Sequence, residues 1–74
     1  MIFLIANNYH EAKGYAYAHD LSAQDYRYVS KISVFGTVLR PDVVVVGSAD
    51  QVPEEILDAL VNKEAAVTYD TQNG

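Results

Sequence analysis

The sequence predicts a miniature doubly wound α/β fold: a mostly parallel sheet of about four strands with two main helices. Two observations support this prediction. Short apolar runs alternate along the chain with segments of helical periodicity, and clusters of turn residues separate them. The resulting order of strand, helix, strand, crossover, strand, helix and strand favours a parallel sheet with helices on its faces. We expect the strands to lie in the order 2-1-3-4.

The first strand and the first helix are predicted at the start of the chain. Residues 2–6 form a continuous apolar run, which is typical of a strand covered on both faces. Asn8, followed by Glu11 three residues later, has the form of a capping box, so we expect a helix from this point to about Asp20. Small and aromatic residues share its inward stripe: Tyr9, Ala12, Tyr15, Ala16 and His19.

The middle of the chain contains two further strands joined by an ambiguous segment. Residues 26–30 alternate and are rich in tyrosine, as expected of the second strand. Residues 31–40 leave two alternatives open: an extra strand interrupted at Gly36, or an irregular crossover with one helical turn. Four consecutive valines at 43–46 predict the central strand, and residues 47–50 predict a loop.

The second helix shows the clearest amphipathic pattern in the chain. Pro53 fits its first position, and Glu54 and Glu55 suit the positive end of the helix dipole. Four apolar residues share one face of this helix: Ile56, Leu57, Leu60 and Val61. Residues 65–69 predict the last strand. We therefore place a single domain at residues 1–70 and a flexible C-terminal tail at residues 71–74.

Charge and hydropathy argue against two classes of partner. The net charge is −5, with five basic residues against ten acidic ones, so we do not expect nucleic acid as the main partner. The longest apolar runs fall far short of the ~20 residues that a membrane span needs. The apolar start of the chain lacks the basic leader of a secretion signal. We therefore expect a cytoplasmic protein with no membrane segment.

No residue pattern predicts a metal, a cofactor or catalysis. The chain contains no cysteine, and its two histidines, His10 and His19, would point to opposite sides of the first helix. It has no glycine-rich dinucleotide turn and no P-loop, and no local motif activates a serine as a nucleophile. We therefore expect no metal site, no cofactor and no enzyme activity.

A small-molecule site is the alternative function that the predicted topology allows. In an open α/β sheet, ligands bind beyond the carboxyl ends of the strands, at the point where strand order reverses. Here that crevice would lie between the first and third strands. The candidate ligand-binding residues are Asn7, Asn8, Tyr9, Gly47, Ser48 and Asp50. Helix capping and turn formation explain the asparagines and the glycine equally well, so a nucleotide- or phosphate-binding module ranks second.

A tyrosine-rich interaction surface is the preferred hypothesis. Six tyrosines in 74 residues is a high proportion, and tyrosine offers large contact area at low entropic cost. The candidate interaction residues are Tyr17, Tyr26, Tyr28 and Phe35. Alternatively, these aromatic residues fill a small core and cover a sheet edge.

Self-association is a further expectation, because so small a core has neither a disulfide nor a metal to stabilise it. We expect a homodimer formed through the second strand at the sheet edge, or through the hydrophobic segment 34–39. In the competing interpretation, Arg27 and Lys31 act as charged residues that block the edge strand and leave a monomer.

Four segments carry a resemblance to a known group of proteins. They are residues 1–9 (MIFLIANNY), the pairs Glu11-Ala12 and Tyr17-Ala18, residues 26–30 (YRYVS) and residues 43–47 (VVVVG). Together they resemble very short α/β proteins with a minimal Rossmann-like or P-loop-like core, encoded by bacteriophages of actinobacteria. The resemblance implies a phage accessory protein in the host cytoplasm and transfers no catalytic residue. We therefore expect a non-enzymatic protein that binds a host protein or itself.

Overall fold

The helices and strands alternate along the chain as the sequence predicts. The computed structural model describes residues 1–46 and 52–70. In chain order the elements are β1 (Ile2–Ile5), α1 (Tyr9–Ala18), β2 (Tyr26–Tyr28), a 3₁₀ helix (Ile32–Phe35), β3 (Asp42–Val45), α2 (Glu54–Asn62) and β4 (Ala66–Tyr69). The predicted tail, residues 71–74, lies outside the described residues.

The four strands form one parallel sheet in the order β2-β1-β3-β4. Each neighbouring pair is parallel, with Phe3 of β1 level with Arg27 of β2 and Val43 of β3. The predicted fold class and strand order are therefore confirmed. β1 and β3 are central, whereas β2 and β4 form the two edges of the sheet.

The two helices cover opposite faces of the sheet. α1 packs Ala12 and Ala16 against Leu4, and all three side chains are fully buried. Because these helix residues are small, α1 can approach the sheet closely. α2 contributes Ile56 and Leu60 to the larger cluster on the other face. The buried partners of this cluster are Phe3, Ile5, Val29, Phe35, Val43 and Val45.

α1 begins at the predicted cap and ends earlier than predicted. The Asn8 side-chain Oδ1 accepts a hydrogen bond from the Glu11 backbone N–H at 2.9 Å, which confirms Asn8 as the N-cap. The last helical residue is Ala18, because Asp20 adopts a left-handed backbone with φ of 56°. The chain then turns away, and the Leu21 N–H donates to the Ala16 carbonyl at 2.8 Å.

Residues 31–40 adopt the second of the two predicted alternatives, a crossover with a short helical turn. The 3₁₀ helix places Phe35 against Phe3, with ring centroids 5.0 Å apart. The Lys63 Nζ donates to the carbonyls of Gly36 and Val38 at 3.2 and 3.3 Å, which ties the crossover to the end of α2. The prediction that Phe35 belongs to an interaction surface is wrong, because its side chain is 0% exposed. Phe35 instead anchors the crossover in the core.

α2 differs from the prediction at its start and on one flank. Pro53 is the N-cap residue, and the helix begins at Glu54. Ile56 is buried as expected, but Leu57 and Val61 are 39% and 76% exposed. These two residues lie one helical turn apart on the flank opposite the residues that line the contact with the 3₁₀ helix. Among the described residues, no other element covers that flank.

Candidate functional site

The structure describes half of the predicted crevice between β1 and β3. Asn7 and Asn8 lie in the connection between β1 and α1, and Tyr9 is the first residue of α1; all three are exposed. Gly47, Ser48 and Asp50 lie outside the described residues. Whether these two loops meet therefore stays a prediction.

The described half of the crevice does not favour an anion. The N-terminus of a helix attracts negative charge, but here a carboxylate of the chain already occupies that position. The Asn8 Nδ2 lies 3.5 Å from Glu11 Oε2, and the Asn8 Oδ1 accepts the Glu11 N–H. A phosphate at this point would meet the charge of Glu11, which weakens the nucleotide-binding alternative.

A shallow cleft does lie at the carboxyl edge of the sheet, but beside β1 and β2. Its volume is about 330 Å³, and its lining residues are Ile5, Ala6, Asn7, Tyr28, Val29, Ser30, Pro53 and Ile56. None of these residues is basic. The first turn of α2, which begins at the same edge, carries Glu54 and Glu55. The walls and charge of this cleft suit neither a nucleotide nor a free phosphate.

A second cleft of about 330 Å³ runs beside β2 and brings together residues from three parts of the chain. We call it the tyrosine groove. It is lined by Tyr9, Ala23, Tyr26, Arg27, Tyr28 and Val34. Tyr26 and Tyr28 lie on the face of the sheet that α1 covers, and both are half-buried. The groove thus contains both predicted interaction residues of β2.

Tyr9 holds the two strand tyrosines in place. Its ring meets the Tyr28 ring edge-on, with centroids 6.0 Å apart, and its phenol lies close enough to the Tyr26 phenol to affect the Tyr26 pKa. Partial burial raises the pKa of Tyr26 above its ordinary value, and the Tyr9 phenol adds to this rise. The Tyr26 hydroxyl is therefore neutral at physiological pH and available to donate and accept hydrogen bonds.

On the groove side, the backbone of β2 has no partner strand in the described part of the chain. The Val29 N–H donates to the Leu4 carbonyl at 2.9 Å, and the Asp25 carbonyl accepts from the Ile2 N–H at 3.0 Å. Successive residues of a strand direct their backbone groups to opposite sides, so residues 25, 27 and 29 face β1. The N–H and C=O groups of Tyr26 and Tyr28 therefore point away from the sheet. No described strand pairs with them.

Arg27, between Tyr26 and Tyr28 in the sequence, places a positive charge on the other face of β2. It is level with Phe3, so its side chain lies on the sheet face opposite Tyr26 and Tyr28, and it is exposed. The resolved ion pair between Arg40 and Glu64, at 3.4 Å, does not involve it. Within residues 1–46 and 52–70, Arg27 thus has no acidic ion-pair partner.

The other predicted interaction residue, Tyr17, lies elsewhere. It is 87% exposed, on the side of α1 turned away from the sheet, and it does not line the tyrosine groove. His19 stacks on Tyr15 with ring centroids 4.1 Å apart and is exposed, so it is not the core-edge residue that its place on the inward stripe suggests. In the described part of the chain, no group of His, Asp and Glu residues could hold a metal ion.

No protein-family model, curated protein or solved structure matches this chain. Neither α1 nor α2, the α-helices among the described residues, is long and apolar enough to cross a membrane.

The sequence pattern does not assign every residue of the tyrosine groove to one site. Tyr9 was expected at a ligand-binding loop, but its ring belongs to the tyrosine groove. Ala23 and Val34 come from connections on either side of β2, and no local pattern links them to it. The sequence predicts Arg27 only as a charge that blocks the edge strand, although strand alternation also places it on the face opposite two tyrosines.

Proposed function

We propose that this protein is a non-enzymatic protein-binding module that accepts an extended segment of a partner protein as an additional strand beside β2. The observation that carries the proposal is the coincidence of an unpaired backbone edge with the tyrosine groove. In strand addition, main-chain hydrogen bonds provide affinity, and pockets for alternate side chains provide specificity. Here the outward N–H and C=O groups of Tyr26 and Tyr28 can form the main-chain hydrogen bonds, and the tyrosine groove can receive the side chains.

The charge of the edge indicates the chemistry of the partner segment. An acidic side chain opposite Arg27 would form a favourable cross-strand pair, and aromatic or β-branched side chains would pack against Tyr26 and Tyr28. A second copy of β2 fits less well. Antiparallel pairing about a two-fold axis at Arg27 would set two guanidinium groups directly opposite each other, which is destabilising. This repulsion disfavours the register centred on Arg27, and we propose that the segment belongs to a different protein.

The biological setting stays a prediction of the sequence. A phage origin, a host protein as the partner and a cytoplasmic location all follow from the resemblance and the composition. The groove itself requires only an extended acidic segment, from whatever protein supplies it.

The proposal is tested by selecting a library of displayed random peptides for binding to the immobilised protein. We expect enrichment of segments with an acidic residue flanked by aromatic or β-branched residues. In hydrogen-exchange NMR, a synthetic selected peptide should slow exchange at the Tyr26 and Tyr28 amides. The Arg27 and Val29 amides already face β1, so the peptide should change them little.

Variants give the matched controls for this experiment. Arg27→Glu should lower the affinity for the selected peptide about tenfold. Replacing the acidic residue of the peptide by lysine should restore binding to that variant. Tyr17→Ala removes an exposed tyrosine outside the groove and should leave affinity unchanged. The proposal fails if no peptide is enriched, if the Tyr26 and Tyr28 amides exchange at the unbound rate, or if Arg27→Glu binds like the wild type.

A further inference from the structure

The opposite edge of the sheet, at β4, also has no partner strand within residues 1–46 and 52–70. The Ala66 N–H donates to the Pro41 carbonyl and the Asp70 N–H to the Val45 carbonyl, both at 2.9 Å. Even-numbered residues of β4 therefore face β3, and the backbone groups of Val67 and Tyr69 point outward. No described strand pairs with them.

This edge carries none of the charge that protects β2. β4 has the sequence AVTY, with neither a charged residue nor a proline. Natural proteins usually blunt an exposed edge strand with such residues, because an unprotected edge pairs with another strand. Arg27 provides that protection in the middle of β2, whereas the nearest charge to β4 is Asp70, which lies just beyond its last residue. This contrast between the two edges favours pairing of β4 with another strand.

The flank of α2 turned away from the 3₁₀ helix is apolar as well. We place this flank on the β4 side, because the 3₁₀ helix packs on Phe3 of β1. Leu57 and Val61 project from it, and Val67 and Tyr69 lie on the same face of the sheet as α2, where Tyr69 is 62% exposed. Strand edge and helix flank together form one surface, which we call the β4 edge. It consists of Leu57, Val61, Val67, Thr68 and Tyr69.

We propose that the occupant of the β4 edge is a second copy of this chain, paired antiparallel about a two-fold axis at Thr68. The sequence of β4 is self-complementary in that register. Val67 lies opposite Tyr69 of the second copy, and Thr68 lies opposite its own counterpart. Aromatic with β-branched and threonine with threonine are both favourable cross-strand pairs. The result is a continuous sheet of eight strands, four from each copy.

The same axis brings the two helix flanks together. α2 lies on the face that carries Val67 and Tyr69, so pairing sets Leu57 and Val61 beside those of the second copy, above the row of Val67 and Tyr69 side chains. A dimer interface of ordinary size buries about 800 Å² on each copy. That is roughly a sixth of the 5090 Å² accessible surface of one copy.

The proposed dimer joins two chains that each carry a net charge of −5. Like charges repel over the Debye length, which is ~10 Å at 0.1 M salt and ~3 Å at 1 M. Pairing through an uncharged edge should therefore strengthen as salt is added. Pairing through ion pairs would weaken instead.

Sedimentation equilibrium of the full chain, with Val61→Lys and Leu39→Lys as a matched pair, tests the proposal. Both residues are apolar and exposed to a similar degree, 76% and 80%, so neither change should disturb the fold of one copy. Only Val61 belongs to the β4 edge, whereas Leu39 belongs to the segment 34–39 that sequence reasoning considered for self-association.

We expect twice the 8.2 kDa chain mass for the wild type and for Leu39→Lys, with a dissociation constant that falls as salt rises. Val61→Lys should raise that constant by a factor of about ten or more. A single-chain mass of the wild type at about 1 M salt would overturn the proposal. So would an equal rise of the dimer dissociation constant in both variants, or an unchanged constant in Val61→Lys. Peptide binding at the tyrosine groove uses the other edge, so either proposal can fail alone.

Discussion

At the residue scale, one carboxylate organises the turn that leads into β2. The Asp25 Oδ2 accepts hydrogen bonds from the Ser22 hydroxyl at 2.9 Å and from the Ser22 backbone N–H at 3.1 Å. The Asp25 carbonyl in turn accepts from Ile2 at the start of β1. The Ser22 hydroxyl, followed by the Ser22 backbone N–H, holds the pKa of Asp25 below its ordinary value. An ionised side chain thus supports the turn that precedes β2, together with the backbone hydrogen bond from the Asp25 N–H to the Ser22 carbonyl.

The sign of this pKa shift predicts a loss of stability in acid. A carboxylate with a lowered folded-state pKa stabilises the fold above its unfolded-state pKa, and that contribution is lost as the pH falls through the folded-state value. We expect Ser22→Ala to be less stable than the wild type at about pH 7, with the difference shrinking as the pH falls towards ~2. Urea denaturation at a series of pH values measures it. A difference that is constant with pH would contradict the assigned role of Asp25.

At the element scale, both helices end in the same motif with a residue other than glycine in the left-handed position. After α1, Asp20 has φ of 56°; after α2, Glu64 has φ of 52°. In each case the next residue donates back to a carbonyl in the last turn: Leu21 to Ala16 at 2.8 Å and Ala65 to Leu60 at 3.0 Å. This is the Schellman pattern, in which glycine is usual at the left-handed residue because a Cβ there is crowded.

Glycine at either position should therefore stabilise the protein. We expect Asp20→Gly and Glu64→Gly each to raise the free energy of unfolding by up to ~1 kcal/mol, which in so small a domain raises Tm by several degrees. Gly36→Ala is the opposite control. Gly36 has φ of 56° and ψ of −129°, a conformation that L residues rarely adopt, so alanine should cost about 1–3 kcal/mol. Thermal unfolding followed by circular dichroism measures all three, and a fall in Tm for Asp20→Gly would refute the argument.

At the scale of the whole molecule, stability rests on very few side chains. A domain of this size is expected to have roughly 4–11 kcal/mol of total stability. Phe35 is the largest of the fully buried side chains, and it joins the crossover to the sheet through Phe3. A single large aromatic residue therefore carries a substantial share of the folding free energy.

Phe35→Ala should bring the protein close to unfolding. Replacement of a buried phenylalanine by alanine costs about 3–5 kcal/mol, which approaches the whole stability of the domain. Phe35→Leu keeps most of the volume and should cost much less, while Tyr17→Ala at the surface should change stability by less than ~0.5 kcal/mol. Urea unfolding curves rank the three variants. If Phe35→Ala unfolds at the same urea concentration as Tyr17→Ala, Phe35 is not the anchor described here.

Sequence reasoning worked best where the signal lies in neighbouring residues. The Asn8 cap, the valine run of β3 and the apolar run of β1 each reflect a preference that is local, and each was predicted. Strand order also followed, because alternating strands and helices in so short a chain allow few topologies. The candidate site was predicted in part: Tyr26 and Tyr28 line the groove, but Tyr17 lies apart and Phe35 is buried.

The sequence by itself determined the four strands, the two α-helices, their order and the tyrosine-rich character of β2, because caps, turns and hydrophobic periodicity act over a few residues. Only the tertiary structure decided which apolar residues face solvent. Ile56 and Leu57 are equally apolar neighbours, yet only Ile56 is buried, because the sheet lies beneath one side of α2 and no described element lies beside the other. The difference between the guarded edge at Arg27 and the uncharged edge at β4 arises in the same way. A strand becomes an edge only when the completed fold leaves one of its sides without a neighbour.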